Sequence, residues 1–290
     1  MKDLSNKNVV HIKKGNVQYL QFRKLLEYKD IINHAYSLGT DVNFRTATKG
    51  KPIEDCTLAV NSYRRICEAI GTNYIRTVKP RQNHTNNVQI VTNKVNGEEP
   101  DFNLDIYKNT DGLITSKRNF ILSTTNADCI LLLLFDPIKK VIANVHSGWK
   151  GTLKRIGIIA INKMIAEFEC KPEDIICCIC PSIRKCHFEV GEDVKKEFEI
   201  EFADIIGNKY IENNNIRTIQ LKDIIEEKIK NTKWNIDTVL INKILMQNIG
   251  LKPENIIDSG ICTVCNCDLI HSYRSEKAEY GLETALIELK

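Results

Sequence analysis

The stretch DGLITSKRNFILSTTNADCILLLLFDPIKKVIANVHSGWKG, residues 111–151, decides the fold. It contains three apolar runs. Two of them, CILLLLFD (129–136) and VIANVH (141–146), flank the turn Pro137-Ile138-Lys139-Lys140 and read as adjacent buried strands. The second run ends in an imidazole, His146, and the chain then turns through Ser147-Gly148-Trp149-Lys150-Gly151. Residues 152–168, TLKRIGIIAINKMIAEF, follow with Leu153, Ile156, Ile159, Ala160, Met164 and Ile165 on one stripe, the pattern of an amphipathic helix.

Working outward, residues 9–26 alternate apolar and polar side chains and predict a hairpin turning at Lys14-Gly15-Asn16. Residues 27–39, EYKDIINHAYSLG, fit a short helix and a strand equally. Residues 56–71 have the helical period and stop at Gly71. Residues 88–95, VQIVTNKV, read as a strand, and residues 94–110 as a polar surface loop. On the C-terminal side, DIICCICP (174–181) is another buried strand, in which alternation sends Cys177 and Cys178 to opposite faces. Residues 190–202 and LKDIIEEKIKN (221–231) read as helical, and residues 235–250 as a helix ending at Gly250. Residues 256–265 return to extended structure before SYRSEKAEYGLETALIEL closes the chain. Strands and helices mix without a regular βαβ rhythm and without a linker, so the expectation is one α+β domain over residues 1–290.

The 290 residues, 42% of them hydrophobic, suffice for a large core, and a charged fraction of 27% argues against wholesale disorder. The net charge of +4 is too weak an excess to predict a nucleic-acid partner, which needs a concentrated basic face. The first residues carry no apolar segment of a signal peptide, and CILLLLF is far too short to span a membrane, so a cytoplasmic protein is expected. Eleven cysteines in such a chain read as free thiols or metal ligands rather than disulfides.

Three residues are candidate ligands: His84 in RQNHTNN, Cys129 in NADC and His146 in NVHSGW. Each lies at or near an inferred strand end, and Cys129 and His146 lie on strands expected to be neighbours. One thiolate and two imidazoles suit zinc, and three protein ligands leave a fourth position open, as catalytic sites require. The plain alternative is a small core cysteine and two unrelated histidines. Gly148 and Gly151 allow close backbone approach to a ligand, and a helix starting at Gly151 and Thr152 would offer N–H groups to an anion. CTVCNC (262–267) offers half of a structural zinc site, for which Cys186 and His187 are conceivable partners; core packing is the simpler reading for CCIC.

The motifs TDGLIT, NADC, VHSGWKGT, CPSIRKCHFEVG, GICTVC and HSYR, in this order, resemble the laccase-domain family. That family was formerly called multicopper polyphenol oxidoreductases, is associated with purine nucleoside phosphorylase activity, and is related to a peptidoglycan editing factor. The similarity runs from about FRKLL to the end of the chain. It implies a four-layered α/β/β/α sandwich with mixed sheets. It also implies one catalytic zinc on the histidine of Q-x-H, the cysteine of A-D-C and the histidine of H-x-G-W, here His84, Cys129 and His146. The chain departs from the pattern at NFRTATKG, at Thr85 after the Q-x-H histidine, at SYRS, and at Gly281-Leu282 where a Gly-Arg pair is usual.

The resemblance implies phosphorolysis of purine nucleosides first, and deamination of adenosine at the same site. Phosphorolysis breaks the C1′–N9 bond, so it needs a cationic phosphate holder, an electrophile or proton source for the departing purine, and a dry pocket. Arg45, Lys150 and Arg274 are the candidate anion contacts, Gln82 a substrate contact or a brace for the His84 loop, and Glu189 a general base or ribose contact. Each of the three cations is otherwise a solvated surface charge, and Glu189 a surface ion pair. Asp128 is expected to be structural. The partners expected are purine nucleosides and phosphate, for a monomer or small homo-oligomer. Copper oxidation is disfavoured, because six histidines cannot furnish several coppers. Amide hydrolysis on a cell-wall nucleotide-sugar precursor, and a non-enzymatic metal-holding module, remain as alternatives.

Overall fold

The structure, a computed structural model, describes residues 2–45, 57–92, 107–213, 215–228 and 233–290. Strand Ile130–Asp136 pairs antiparallel with Val141–Ser147, in a register that sets Leu131 opposite His146 and Ile130 opposite Ser147. Every residue of both strands is buried. That explains the unbroken apolar runs, since a strand covered on both faces has no polar side to alternate with.

The two faces meet different neighbours. Leu131, Leu133 and Phe135 point toward a second sheet, where they join Leu20, Phe22, Tyr36, Leu122 and Ile287. Ile130, Leu132 and Leu134 face Ile156, Ala160, Ile161 and Met164 of helix Ile156–Phe168, and Val239 and Met246 of helix Thr238–Asn248. The sheet holding the central hairpin has the order Ile256–Asp258, Ile176–Ile179, Ile130–Asp136, Val141–Ser147, Gly112–Thr115, Val88–Ile90. The other has the order Val9–Lys14, Val17–Phe22, Ile32–Leu38, Glu283–Leu289, Ile121–Asn126, Thr77–Val78. Tyr63, Ile66 and Cys67 of helix Thr57–Ile70 cover the outer face of this second sheet through Tyr19, Ala35 and Leu286. Helix, sheet, sheet and helix therefore stack in four layers, and both sheets mix parallel with antiparallel pairs. A satellite core around Phe198, Phe202 and Tyr210 carries the smaller sheets of residues 189–236.

Asn144 sits mid-strand between the two sheets. Its side chain donates to Leu122 O (2.9 Å) and Ala285 O (2.8 Å) and accepts from the Thr124 hydroxyl, so the dry interface carries one satisfied polar crosslink.

Three expectations are corrected. Residues 221–231 are not one helix: Leu221–Ile224 is helical, and Ile225–Lys228 then pairs as a strand with Lys233–Ile236, Ile225 opposite Ile236. Residues 152–168 are not one helix either, because Arg155 adopts φ 55° and separates Trp149–Leu153 from Ile156–Phe168. The guanidinium of Arg155 is drawn to Glu201 (2.8 Å) and Asp204 (2.7 Å), which anchors the break. The helix expected to begin at Gly151 and Thr152 starts instead at Trp149, and the Thr152 N–H is donated to Gly148 O (2.7 Å) rather than offered to an anion. The ambiguous segment 27–39 contains strand Ile32–Leu38. Most of the loop 94–110, and the end of the strand expected at 88–95, lie outside the described residues. No helix among the described residues is long and apolar enough to cross a membrane.

His34 in that strand gives the fold an acid sensitivity. Its Nε2 accepts the Phe22 N–H at 2.7 Å, and burial pulls its pKa down to about 3. The unfolded chain protonates near the ordinary histidine value of about 6.5. The neutral ring therefore stabilises the fold fully above that pH, and the contribution is lost, at about 1.4 kcal/mol per pH unit, as pH falls from there toward the folded value. Urea unfolding at stepped pH should show this slope in the wild type and a slope shallower by one proton in His34→Gln; identical slopes would contradict it.

Candidate metal centre

The hairpin places Cys129 just before one strand and His146 at the end of its neighbour, so both side chains emerge at the same edge of the sheet. His84 arrives from the segment that follows Thr77–Val78. Cys129 Sγ and His84 Nε2 are 3.8 Å apart, and the rings of His84 and His146 meet edge to face with centroids 4.9 Å apart. One ligand atom from each of His84, Cys129 and His146 lies within 4.8 Å of the others, and the group has three members among the described residues. Burial is graded across it: His146 is buried, Cys129 intermediate and His84 exposed, so the group opens to solvent on the His84 side.

Asp111 organises the site from behind. It is completely buried at the foot of strand Gly112–Thr115, which pairs with the His146 strand so that Gly112 faces Val145. Its Oδ1 is 2.8 Å from His146 Nδ1, which leaves Nε2 as the free ring nitrogen. Its carboxylate also accepts the N–H groups of Asn83 (3.2 Å), His84 (3.0 Å) and Thr85 (2.8 Å) and the Thr85 hydroxyl (2.7 Å). Collecting three successive amides holds His84 in its left-handed conformation, φ 57°, a strain of order 1 kcal/mol in a residue without glycine's freedom. One carboxylate thus positions two of the three candidate ligands, an arrangement that recurs behind metal-bound histidines. Burial opposes its charge, but the bonds from His146 and Thr85 prevail and bring its pKa down to about 2. Burial likewise opposes charge on Cys129 and His146. Their mutual attraction outweighs it, with His84 helping the thiol and Asp111 the imidazole, so the thiol is pulled below its ordinary value and the imidazole above. A thiol held toward its anion is the form that binds metal.

Gly148 closes the site. A Cβ there would lie 2.8 Å from His84 Cδ2 and 3.0 Å from Cys129 Sγ, so only glycine lets the backbone pass this close to both ligands. The donor set of one sulfur and two imidazole nitrogens fits zinc with one position free.

The other expected residues have these places. Gln82 is spent on Thr125, donating to its O (2.7 Å) and accepting its N–H (2.8 Å), which braces the segment leading to His84. Asp128, φ 84°, accepts from the Thr263 hydroxyl (2.5 Å) and the Arg274 N–H (2.7 Å), a structural role. The Arg274 guanidinium donates to Glu189 O (3.1 Å), so Arg274 and Glu189 are brought together. The Glu189 carboxylate pairs with Lys228 Nζ at 2.6 Å. Arg45 stacks on Tyr280, 4.1 Å from the ring centroid, and donates to Tyr280 O (2.7 Å). Lys150 lies over the Trp149 ring at 5.2 Å, while Lys154 reaches toward His84 O at 3.5 Å. Asp111 and Lys154 were not named from sequence. Asp111 stood in the sequence as the acid of the TDGLIT motif, at the foot of an apolar strand, with no role attached, because its meaning depends on which strand lies alongside.

A sequence model of the family described as multi-copper polyphenol oxidoreductase laccase matches residues 40–290. The human protein named purine nucleoside phosphorylase LACC1 is 27% identical over 252 residues, 86% of this chain and 51% of its own. The chain thus spans about half the length of that relative. The Bacillus subtilis protein named purine nucleoside phosphorylase YlmD is 26% identical over 249 residues, 85% of this chain and 83% of its own. Among solved structures, YlmD from Geobacillus stearothermophilus superposes with a TM-score of 0.74 at 19% identity, covering all of both chains. The Bacillus licheniformis hypothetical protein YfiH does so with a TM-score of 0.74 at 22% identity, covering 94% of this chain and 96% of its own. These two likenesses concern the fold.

Proposed function

The chain belongs to the multi-copper polyphenol oxidoreductase laccase family, and from that premise we propose a zinc-dependent purine nucleoside phosphorylase acting on adenosine, inosine or methylthioadenosine in the cytoplasm, with adenosine deamination at the same site. The observation that carries the reading is the open group of His84, Cys129 and His146 with Asp111 behind it. The names of the human and Bacillus subtilis relatives supply the reaction class. When bound by these three residues, zinc supplies a Lewis acid at the vacant position.

In phosphorolysis a phosphate oxygen forms a bond to C1′ while the C1′–N9 electron pair leaves with the purine, which then takes up a proton. The residues of this chain would divide that work. Asp111 fixes His146 with Nδ1 turned away, so that ligand does not wander during turnover. Arg274, Lys150 and Arg45 are the proposed phosphate contacts, with arginine able to grip two oxyanions at once. The Lys228 ammonium holds the Glu189 carboxyl below its ordinary range, which suits Glu189 to accepting a ribose hydroxyl or a proton rather than donating one.

Multicopper chemistry lacks imidazoles here. Of six histidines, His34 is bonded to Phe22 N, His11 to Gln18, and His271 sits between Glu276 and Val42 O. Only His187 remains outside the centre, and it belongs to a separate cysteine group.

The test is incubation of the purified protein with adenosine, inosine and methylthioadenosine, with and without phosphate. Free base with the corresponding sugar 1-phosphate, formed only when phosphate is present, is expected. Deamination alone, independent of phosphate, would reduce the proposal to its second activity, and turnover of none of the three would refute both.

A further inference from the structure

A second cluster of donors lies away from the candidate centre, where residues 182–188 meet residues 262–267. Ser182 and Cys262 form a parallel bridge, with Ser182 N donating to Ile261 O (3.3 Å) and Thr263 N to Ser182 O (3.1 Å). This zipped backbone presents four side chains to one point. We propose that Cys186, His187, Cys262 and Cys265 bind a second metal ion, zinc, in a closed structural site.

The spacings approach those of a tetrahedron, with the Cys186–His187 pair, at 3.1 Å, the one that falls short of an ideal edge. Cys186 Sγ and Cys262 Sγ are 3.7 Å apart, and His187 Nδ1 stands 3.1 Å from Cys186 Sγ, 3.7 Å from Cys262 Sγ and 3.5 Å from Cys265 Sγ. Zinc bonds of about 2.3 Å to sulfur and about 2.0 Å to nitrogen give tetrahedral edges of about 3.5–3.8 Å. The ligand atoms of all four residues lie within 4.8 Å of one another. Cys186 Sγ and Cys262 Sγ, at 3.7 Å, are too far apart for a disulfide, whose S–S bond is about 2.05 Å.

Local structure supports the geometry. The turn Val264–Asn266 carries Cys265 and follows directly on Cys262 and Thr263, and Asn266 Nδ2 donates to Cys262 O (2.7 Å), so the C-x2-C pair is held to one side. Cys186 and Cys265 are exposed, unlike Cys177, Cys178 and Cys180 in the core, so apolar packing does not account for them. Three thiolates and one imidazole complete the coordination of zinc and leave no vacancy, which makes the site structural.

The site would also steady the neighbouring centre. Residue 187 leads into Glu189, and Thr263, between two ligands, bonds Asp128 beside Cys129. Asp128 in turn holds the Arg274 N–H. A metal here staples the segment carrying Glu189 to the one carrying Thr263 and Arg274. This inference does not depend on which reaction the other centre catalyses.

The experiment is metal analysis of the full chain, purified under reducing conditions, loaded with zinc chloride and freed of excess by gel filtration. Wild type should carry two zinc ions per chain, Cys265→Ser and Cys186→Ser one each, and His146→Ala one. Cobalt loaded into His146→Ala should show the intense thiolate-to-cobalt charge-transfer absorption of a tetrahedral multi-thiolate site, absent when Cys265→Ser is added. Zinc that is lost in His146→Ala and kept in Cys265→Ser, with no second ion in the wild type, overturns the proposal. So does Cys265→Ser retaining the wild-type content, or a Cys186–Cys262 disulfide in place of bound metal. Nucleoside turnover is not read here, so failure of this site and failure of the proposed activity are separable.

Discussion

His146→Ala should lower kcat/KM for nucleoside phosphorolysis by at least about a hundredfold to a thousandfold, the scale on which single electrostatic groups at a reacting centre are felt. It should remove one zinc per chain at the same time. His146 is the buried member of the three ligands and the one whose second ring nitrogen is fixed by a carboxylate, so neither water nor a neighbour can take its place. The fold should survive, because Asp111 keeps the amides of Asn83, His84 and Thr85 and is not left as an unsolvated charge. Steady-state kinetics, zinc content and far-ultraviolet circular dichroism on one preparation check the three parts together. Full activity in a folded variant without that zinc would refute the assignment.

Gly148→Ala should produce nearly the same loss with less disturbance, since it deletes no ligand. Gly148 has φ −62°, which alanine adopts without strain, so any effect comes from the added methyl. That methyl would sit 2.8 Å from the His84 ring and 3.0 Å from the Cys129 sulfur. Cys129 is anchored beside a core strand and cannot retreat far, whereas the exposed His84 ring can swing outward. The clash is therefore relieved at the expense of the ligand set rather than of the fold. The expected outcome is a melting temperature close to that of the metal-free wild type, with zinc affinity and turnover both sharply reduced. Wild-type affinity in this variant would mean that the backbone does not approach the ligands as described.

The hairpin 129–147 was legible because its strands are buried on both faces, and an unbroken apolar run bounded by a turn has few other readings. Helix Thr57–Ile70 was legible from its period, which follows from having one face on a sheet and one in water. The misreading of 221–231 has the opposite origin. LKDIIEEKIKN satisfies a helical period, but Ile225–Lys228 takes the edge of a small sheet against Lys233–Ile236, a tertiary pairing that local propensity does not reveal. Strand Ile32–Leu38 was ambiguous because it lies mid-sheet with His34 and Ser37 buried, so polarity did not mark a solvent face.

The site divides in the same way. His84, Cys129 and His146 stand in compact motifs at strand ends and could be named. Asp111 could not be assigned a role, because that role exists only once Gly112–Thr115 is known to lie beside the His146 strand. Glu189 and Lys228 meet across 39 residues of chain, a distance over which one sequence carries no pairing information.

Anomalous diffraction at the zinc absorption edge, from crystals of the zinc-loaded chain, tests the central claim most directly. The account predicts a peak bonded to His84 Nε2, Cys129 Sγ and His146 Nε2 at about 2.0–2.3 Å, with the fourth position held by solvent or substrate. Zinc-loaded crystals without a peak among those three atoms, or a fourth side chain filling the vacancy, would contradict it.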